Sequence, residues 1–253
     1  MPRWEPAMQE LRVVTNADRR DLGEQLAAVF RPVWPEFIFH GPVDAEYVSR
    51  VESYFEHYDV LLLDDEDQIL TGGWGVPISW AGTAGDLPAG YDDAMVRAVT
   101  GHEASVRPDT LCIMAAAVRP GHRGTGLAGQ ALSALRERAA SAGLLRVIAP
   151  VRPTLKSRYP LTPMENFARW TRPDGLHLDP WVRAHQRLGA SILGPAPRSM
   201  TITGTVAEWE DWAQMSFPET AEYVVPDALG LVQIDCEHDR GTYVEANLWM
   251  RHA

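Results

Sequence analysis

The stretch Thr110-Leu111-Cys112-Ile113-Met114-Ala115-Ala116-Ala117-Val118 is almost wholly apolar, and a glycine-punctuated turn, Gly121 to Gly126, follows it. A short apolar run bounded by turn residues predicts a central strand buried on both faces. Leu127, Ala131, Leu135 and Ala139 then recur every four residues, which predicts a helix laying one stripe on a sheet. Gly143 stands where a helix C-cap belongs, and Leu144 to Val151 reads as the next strand. Strand, glycine turn, helix and strand in that order point to an α/β or α+β fold.

The flanks extend this unit. Leu11 to Val14 reads as a first strand, with Asn16 or Asp18 as cap for a helix carrying Leu22, Leu26, Val29 and Phe30. Trp34 to His40 is an aromatic loop, and Asp44 to Phe55 a second helix. Val60 to Leu63, the turn Asp64 to Asp67 and Ile69 to Trp80 form a hairpin, in which Gly72, Gly73 and Gly75 predict a bulge or a close backbone approach. Tyr91 to Thr100 is helical, with Asp92 and Asp93 as its N-terminal acids. Short helices follow at Glu165 to Trp170 and Pro180 to Leu188. Strands are expected at Met200 to Val206, Leu231 to Asp235 and Thr242 to Met250, with an amphipathic turn around Trp209 and Trp212. Residues 1–253 read as a single domain, with a core over about 10–190 and a β-rich extension over about 191–253.

Composition narrows the function. The chain has 253 residues and a formal charge of −11, which argues against a nucleic-acid binder. No stretch approaches the ~20 apolar residues of a membrane helix, and Met1 to Pro6 has no apolar leader. Cys112 and Cys236 are too few to staple a secreted fold and no metal-ligand spacing surrounds them, so a cytoplasmic chain without a metal is expected. Within this acidic protein Arg119, Arg123, Arg136, Arg138, Arg146, Arg152, Lys156 and Arg158 are opposed only by Glu137, an island that suggests a bound anion. Lys156 is the only lysine in the chain.

Three readings compete for the turn. Gly124, Gly126 and Gly129 spell a dinucleotide fingerprint, but the strand ends several residues too early and no acid occurs between Glu137 and Glu165 to hold a ribose. A Walker A loop needs Gly-Lys-Ser/Thr, which is absent. Arg123 to Ala128 also fits R-x-x-G-x-A, a turn whose backbone amides, with a helix N-terminus, make a preformed anion site.

Val118-Arg119-Pro120-Gly121-His122-Arg123-Gly124-Thr125-Gly126-Leu127-Ala128 resembles motif A of the GNAT superfamily of acyl-CoA-dependent N-acyltransferases. The element order over roughly residues 10 to 190 resembles the family core, a mixed central sheet flanked by helices. The chain further resembles a longer, actinobacterial-type subgroup through its Trp-Pro-Glu-Phe, Ala-Pro-Val-Arg-Pro-Thr and Asp-Pro-Trp segments. The resemblance implies acetyl-CoA, or a related acyl-CoA, as co-substrate. It implies that Ala116, Ala117 and Val118 line the pantetheine arm. It places Arg123, Gly124, Gly126, Leu127 and Ala128 at the pyrophosphate; Thr125 within the same turn and Lys156 of the basic island are further candidate contacts.

Acyl transfer to an amine requires a neutral amine, a held oxyanion and a stabilised thiolate. Many family members carry a tyrosine as thiol-side acid, and His185 occupies that position here, with Tyr159 as the alternate. The fourth strand has no acid, so the base falls to Glu36 in Trp34-Pro35-Glu36-Phe37, or to Glu245. Tyr243, Glu245, Asn247 and Trp249 alternate onto one face of the last strand, either lining a pocket or lying on an exposed sheet face. Trp34, Phe37, Phe39, Trp74 and Trp80 flank the acceptor side, as pocket or as core.

The resulting expectation is transfer of an acetyl or other short acyl group to a small-molecule amine by direct attack, since neither cysteine sits in a nucleophile motif. Two rivals remain: a non-catalytic acyl-CoA-binding or regulatory module, and an acyltransferase using a longer acyl-CoA or a carrier-protein donor. The acceptor and the oligomeric state are not written in the sequence.

Overall fold

A computed structural model describes residues 11–253. Met1 to Pro6, read above for an apolar leader, lie outside the described residues. The strands are β1 (Arg12–Thr15), β2 (Asp59–Leu63), β3 (Ile69–Ile78), β4 (Thr110–Val118), β5 (Arg146–Val151), β6 (Ser191–Gly204), β7 (Ala221–Tyr223), β8 (Val232–Asp235) and β9 (Arg240–His252). The helices are α1 (Gly23–Phe30), α2 (Pro42–Phe55), α3 (Tyr91–Glu103), α4 (Leu127–Ser141), α5 (Met164–Phe167), α6 (Pro180–Arg187) and α7 (Val206–Ala213). All nine strands join one sheet, in the order β1-β2-β3-β4-β5-β9-β8-β7, with β6 on the other edge of β9. Only β4 and β5 run parallel; every other pairing is antiparallel. The expected α/β architecture, a mixed sheet flanked by helices with a β-rich C-terminal part, is what forms.

Sheet alternation divides the core. Leu111, Ile113, Val147, Ala149 and Val151 pack with Leu132 and Leu135 of α4 on one face. Cys112, Met114, Val76 and Ile78 pack with Met95 and Val99 of α3 on the other. The extension builds its own apolar layer from Met200, Ile202, Trp209, Val232, Ile234 and Tyr243, closed by Phe37. Helix α4 ends as its sequence predicts: Gly143 takes φ +75°, and the Leu144 amide bonds back to the Ala139 carbonyl at 3.0 Å.

Four expectations need correction. The helix after β1 begins at Gly23, behind a 3₁₀ turn at Arg20–Leu22. Asp18 is not its cap; its carboxylate accepts from the Thr15 amide and hydroxyl at 3.2 and 2.6 Å, so it closes the turn behind β1 instead. The Trp34 to His40 loop contains a 3₁₀ turn at Glu36–His40. The strand expected over Met200 to Val206 starts earlier, at Ser191, and stops at Gly204, because Thr205 and Glu208 form a reciprocal capping box that opens α7.

The extension is fastened to the core through α3. The Tyr91 amide donates to the Ser199 hydroxyl at 2.9 Å, and Asp92 accepts the Thr201 amide at 3.0 Å. β9 then runs through the middle of the molecule, paired along one edge with β6 and along the other with β5 and β8.

Candidate active site

The site begins where two strands part. β4 and β5 pair only at Thr110, Leu111 and Cys112 against Arg146, Val147 and Ile148. Beyond that, β5 stays with β9, Val151 opposite Leu248, while β4 continues to Val118 with β3 alone. Pro150 stands at the parting and has no N–H to offer a neighbour. The backbone groups of β4 from Ile113 onward therefore face a gap. A peptide-like ligand with amides of its own can pair there as an added strand does.

A bulge sits on this free edge. Trp74 pairs with Ala115 and Gly75 with Ile113, so Met114 is an extra residue without a partner on β3. β3 lies too close for side chains: a Cβ on Gly73 would come within 2.6 Å of the Ala115 carbonyl oxygen, and one on Gly75 within 2.7 Å of that of Cys112. The glycines expected to mark a bulge or a close approach mark both.

The gap opens into a cleft of about 980 Å³. Ile113 to Ala117 of β4 and Ala149 to Arg152 form two walls, α1 and α2 cover one side, and Trp181 and His185 of α6 enter it too. Of the aromatic residues expected on the acceptor side, Trp34, Phe39 and Trp74 line the cleft. Phe37 and Trp80 are core residues, each 1% exposed.

The glycine turn lies just past Ala117, where the cleft's lining on β4 stops. Gly121, Gly124 and Gly126 take φ of +90°, +82° and +89°, values a side chain resists. Gly126 is the N-cap of α4, whose first turn carries no acid to compete with an anion. The Thr125 hydroxyl donates to the His122 carbonyl at 2.6 Å and braces the turn. Ala116 and Ala117 line the cleft. Val118 does not line it; its side chain is packed against Leu70 and Leu127.

The basic island is largely structural. Arg119 donates to the Ile69 carbonyl, Arg136 to that of Leu188 and Arg138 to that of His57. Arg146 pairs with Asp109 at 2.9 Å and Arg152 with Glu245 at 3.0 Å. Lys156, expected beside the pyrophosphate, is 3% exposed and holds the Tyr159 and Leu229 carbonyls. Its ammonium stitches a loop to the extension and does not line the cleft. Arg123 is exposed at the turn and, among the described residues, is in no ion pair.

Three of the expected catalytic side chains separate on inspection. Glu36 is 45% exposed, paired with Arg31 at 2.7 Å and His40 at 3.1 Å, and it does not line the cleft. Tyr159 stands edge-on to Trp170 at 4.8 Å, 40% exposed and outside the cleft. Glu245 does line it. It is 1% exposed and accepts from the Tyr243 hydroxyl at 2.9 Å, the Asn247 amide at 2.9 Å and Arg152 Nε at 3.0 Å. The face of Tyr243, Glu245, Asn247 and Trp249 is thus buried throughout, not an exposed sheet face.

Carboxylates that the sequence did not mark as chemical complete the acceptor side. Asp44, in the first turn of α2, lines the cleft; burial and the neighbouring Asp92 push its pKa up to about 7. Asp59, at the start of β2, lines it as well and is raised to about 7 by burial and by Glu52. Burial raises Asp92 to about 6. Nothing in the local sequence separates Asp44 from an ordinary helix N-terminal acid; only the fold brings it to the gap.

His185 is 1% exposed at the root of the gap. Its Nδ1 lies 3.0 Å from Nε2 of His252, and its ring is edge-on to Trp181 at 4.5 Å. Nε2 of His185 and Nδ1 of His252 are buried without partners. Burial, with His252 beside it, holds His185 well below the ordinary imidazole pKa; burial and Arg136 lower His252 to about 4. Both rings are therefore neutral at physiological pH.

Comparison with known proteins converges on one family. Residues 41–161 match the Acetyltransferase (GNAT) family. An arginine N-acetyltransferase, avaD of Aspergillus versicolor, is 30% identical over 269 residues, covering 94% of this chain and 92% of the relative. Among solved structures, the loading GNATL domain of CurA from Lyngbya majuscula shares the fold with a TM-score of 0.55 at 18% identity, covering 96% of each chain. A GNAT-like decarboxylase, GphF, solved with isobutyryl-CoA, aligns with a TM-score of 0.56 at 15% identity, covering 96% of this chain and 98% of that one. No helix among the described residues is long and apolar enough to cross a membrane.

Proposed function

From the premise that this chain belongs to the GNAT family of acetyltransferases, we propose a specific division of its cleft between donor and acceptor. The protein is an acyl-CoA-dependent N-acyltransferase, with acyl-CoA as co-substrate. The observation that carries the division is the parting of β4 from β5, which leaves a free strand edge running from the Met114 bulge to the glycine turn. A pantetheine arm carries amides and matches that edge. The pyrophosphate then falls on the amides of Gly124 to Ala128 and on Arg123, and the thioester reaches the root of the gap, where His185 stands.

The acceptor enters from the α1–α2 side. There Arg20 pairs with Glu56, Arg152 with Glu245 and Arg31 with Glu36 outside the cleft, while Asp44, Glu52 and Asp59 line the cleft in no ion pair among the described residues. That excess of carboxylates suits a cationic small-molecule amine, one with a second positive group such as arginine. The relative's activity on arginine supports the same class. Asp44, poised near neutrality, deprotonates the substrate ammonium so that a neutral amine attacks, the role first sought at Glu36. Glu245, locked by three donors, shapes the wall. The unbroken sheet supports reading residues 11–253 as a single domain.

Calorimetric titration with acetyl-CoA, CoA and NAD tests the donor site. Binding of the CoA species alone, weakened in Arg123→Ala/Gly126→Val, is the expected result; preference for NAD overturns it. A panel of arginine, lysine, putrescine and phenethylamine tests the acceptor. Selective turnover of phenethylamine would refute a cationic acceptor.

A further inference from the structure

We propose that His252 is a positioning residue that fixes the tautomer of His185, so that His185 presents an Nε2–H donor to the thioester sulfur. The inference deepens the acyltransferase reading above and rests on it.

Two neutral imidazoles joined through Nδ1 of His185 and Nε2 of His252 share a single hydrogen bond, with two arrangements of protons. In one, His185 donates to His252. Nε2 of His185 is then bare, and the remaining N–H is on His252 Nδ1, buried with no acceptor. In the other, His252 donates to His185. The remaining N–H is then on His185 Nε2, equally buried and without a protein partner, but on a side chain that lines the cleft, as His252 does not. A buried N–H without an acceptor is costly in either arrangement, and only the one on His185 borders a cleft whose ligand can supply the acceptor, which favours the second. The Arg136 guanidinium, whose charge acts on His252, favours it too, since a cation tolerates a lone pair better than an N–H dipole. His252 sits on β9 opposite Val147 and its ring reaches His185 on α6; among the described residues neither imidazole is in an ion pair.

The placement fits the leaving group. β4 and β5 separate immediately after Cys112 and Ile148, and Ile113, Ala149 and His185 all line the cleft. Asp44 first takes one proton from the substrate ammonium and passes it to solvent; as the neutral amine nitrogen then bonds to the acyl carbon, its second proton passes to the regenerated carboxylate. The C–S bond breaks and its electron pair remains on sulfur. His185 keeps its proton and donates a hydrogen bond to the thiolate, which is protonated after release. The pair thus supplies a fixed dipole without a net proton transfer of its own.

The test combines a spectroscopic and a kinetic readout on the intact protein. Long-range ¹H–¹⁵N spectra of the imidazoles are expected to show His185 protonated at Nε2 and bare at Nδ1, with His252 protonated at Nε2. His252→Phe is expected to lower kcat by roughly 10- to 100-fold, the size of a hydrogen bond to a charged group, with KM for acetyl-CoA nearly unchanged. His252→Gln, whose amide can donate from near the Nε2 position, is expected to recover most of that loss. A His185 protonated at Nδ1, or equal kcat for the Phe and Gln variants, overturns the proposal. Where the Phe variant fails to fold, the wild-type spectrum decides. If wild type transfers no acyl group from acetyl-CoA to any amine, the acyltransferase reading itself falls; if it transfers while His185 is protonated at Nδ1, that reading stands and this one does not.

Discussion

The two walls of the gap enclose one space and are built from different materials. The β4 wall is one continuous segment, Ile113 to Ala128, whose working parts are backbone amides, a bulge and three glycines at positive φ. The opposite wall is gathered from Arg152 after β5, His185 on α6, and Glu245 and Asn247 on β9, with His252 behind His185. Its working parts are side chains ordered by one another. Backbone-built sites tolerate side-chain changes but are sensitive to φ; side-chain networks fail when one member is removed.

The largest expected effect lies on the second wall. Glu245→Leu removes the acceptor for Tyr243, Asn247 and Arg152 together and leaves a guanidinium only 16% exposed without its carboxylate. Loss of one partner of a buried pair typically costs about 3–5 kcal/mol. Chemical denaturation should show a loss of that size. A change below about 1 kcal/mol, the range of exposed pairs, would mean the network is not what orders this wall.

That contrast also explains what the sequence revealed. The run Thr110 to Val118, the glycines after it and the four-residue stripe of α4 are local signals, so strand, turn and helix were legible in order. The parting of β4 and β5 was not, since it depends on β9, nearly a hundred residues away in the chain, holding Val151. The basic island misled for a related reason. Charge counted along the chain cannot tell Arg123 at an open turn from Lys156, which is folded inward onto two carbonyls. Asp44 was hidden because a carboxylate in the first turn of a helix is common, and its raised pKa comes from Asp92 and from burial in the folded state.

The next effect tests Asp44, between the walls. With the acceptor's proton to remove, kcat/KM should rise with pH through about 7 as Asp44 ionises, and Asp44→Asn should lose that limb along with roughly 100-fold in rate. Stability should show the opposite slope. A carboxyl at about 7 when folded and 3.8 ordinarily keeps its proton longer in the native chain. Its contribution favours folding at low pH and is lost as pH rises through about 7. Asp44→Asn should therefore match wild type near pH 4 and exceed it by about 1–2 kcal/mol at pH 8, a figure reduced for its partial exposure. Equal stability at both pH values would place the Asp44 carboxyl in open solvent.

On the first wall, Gly126→Val should raise the Kd for CoA by about 10-fold, since φ +89° costs a branched residue on the order of 1–2 kcal/mol and the turn that aims the amides at the anion is disfavoured. Melting should change less than binding, because the turn is exposed.

The smallest effect separates placement from charge. Arg123→Ala and Lys156→Met each remove one positive charge from the same island, so a purely electrostatic island predicts similar losses of CoA affinity. The geometry predicts otherwise. Arg123 stands exposed at the glycine turn, and its loss should weaken CoA binding by a few-fold, about 1 kcal/mol, with a smaller difference at high salt where exposed charges are screened. Lys156 is buried, its pKa lowered by desolvation, and its donors are directed at the Tyr159 and Leu229 carbonyls. Lys156→Met should leave those oxygens unpaired and lower the melting temperature while CoA affinity measured well below that temperature stays unchanged. Equal affinity losses in the two variants would restore the island as a diffuse anion site and remove the turn's claim to the pyrophosphate.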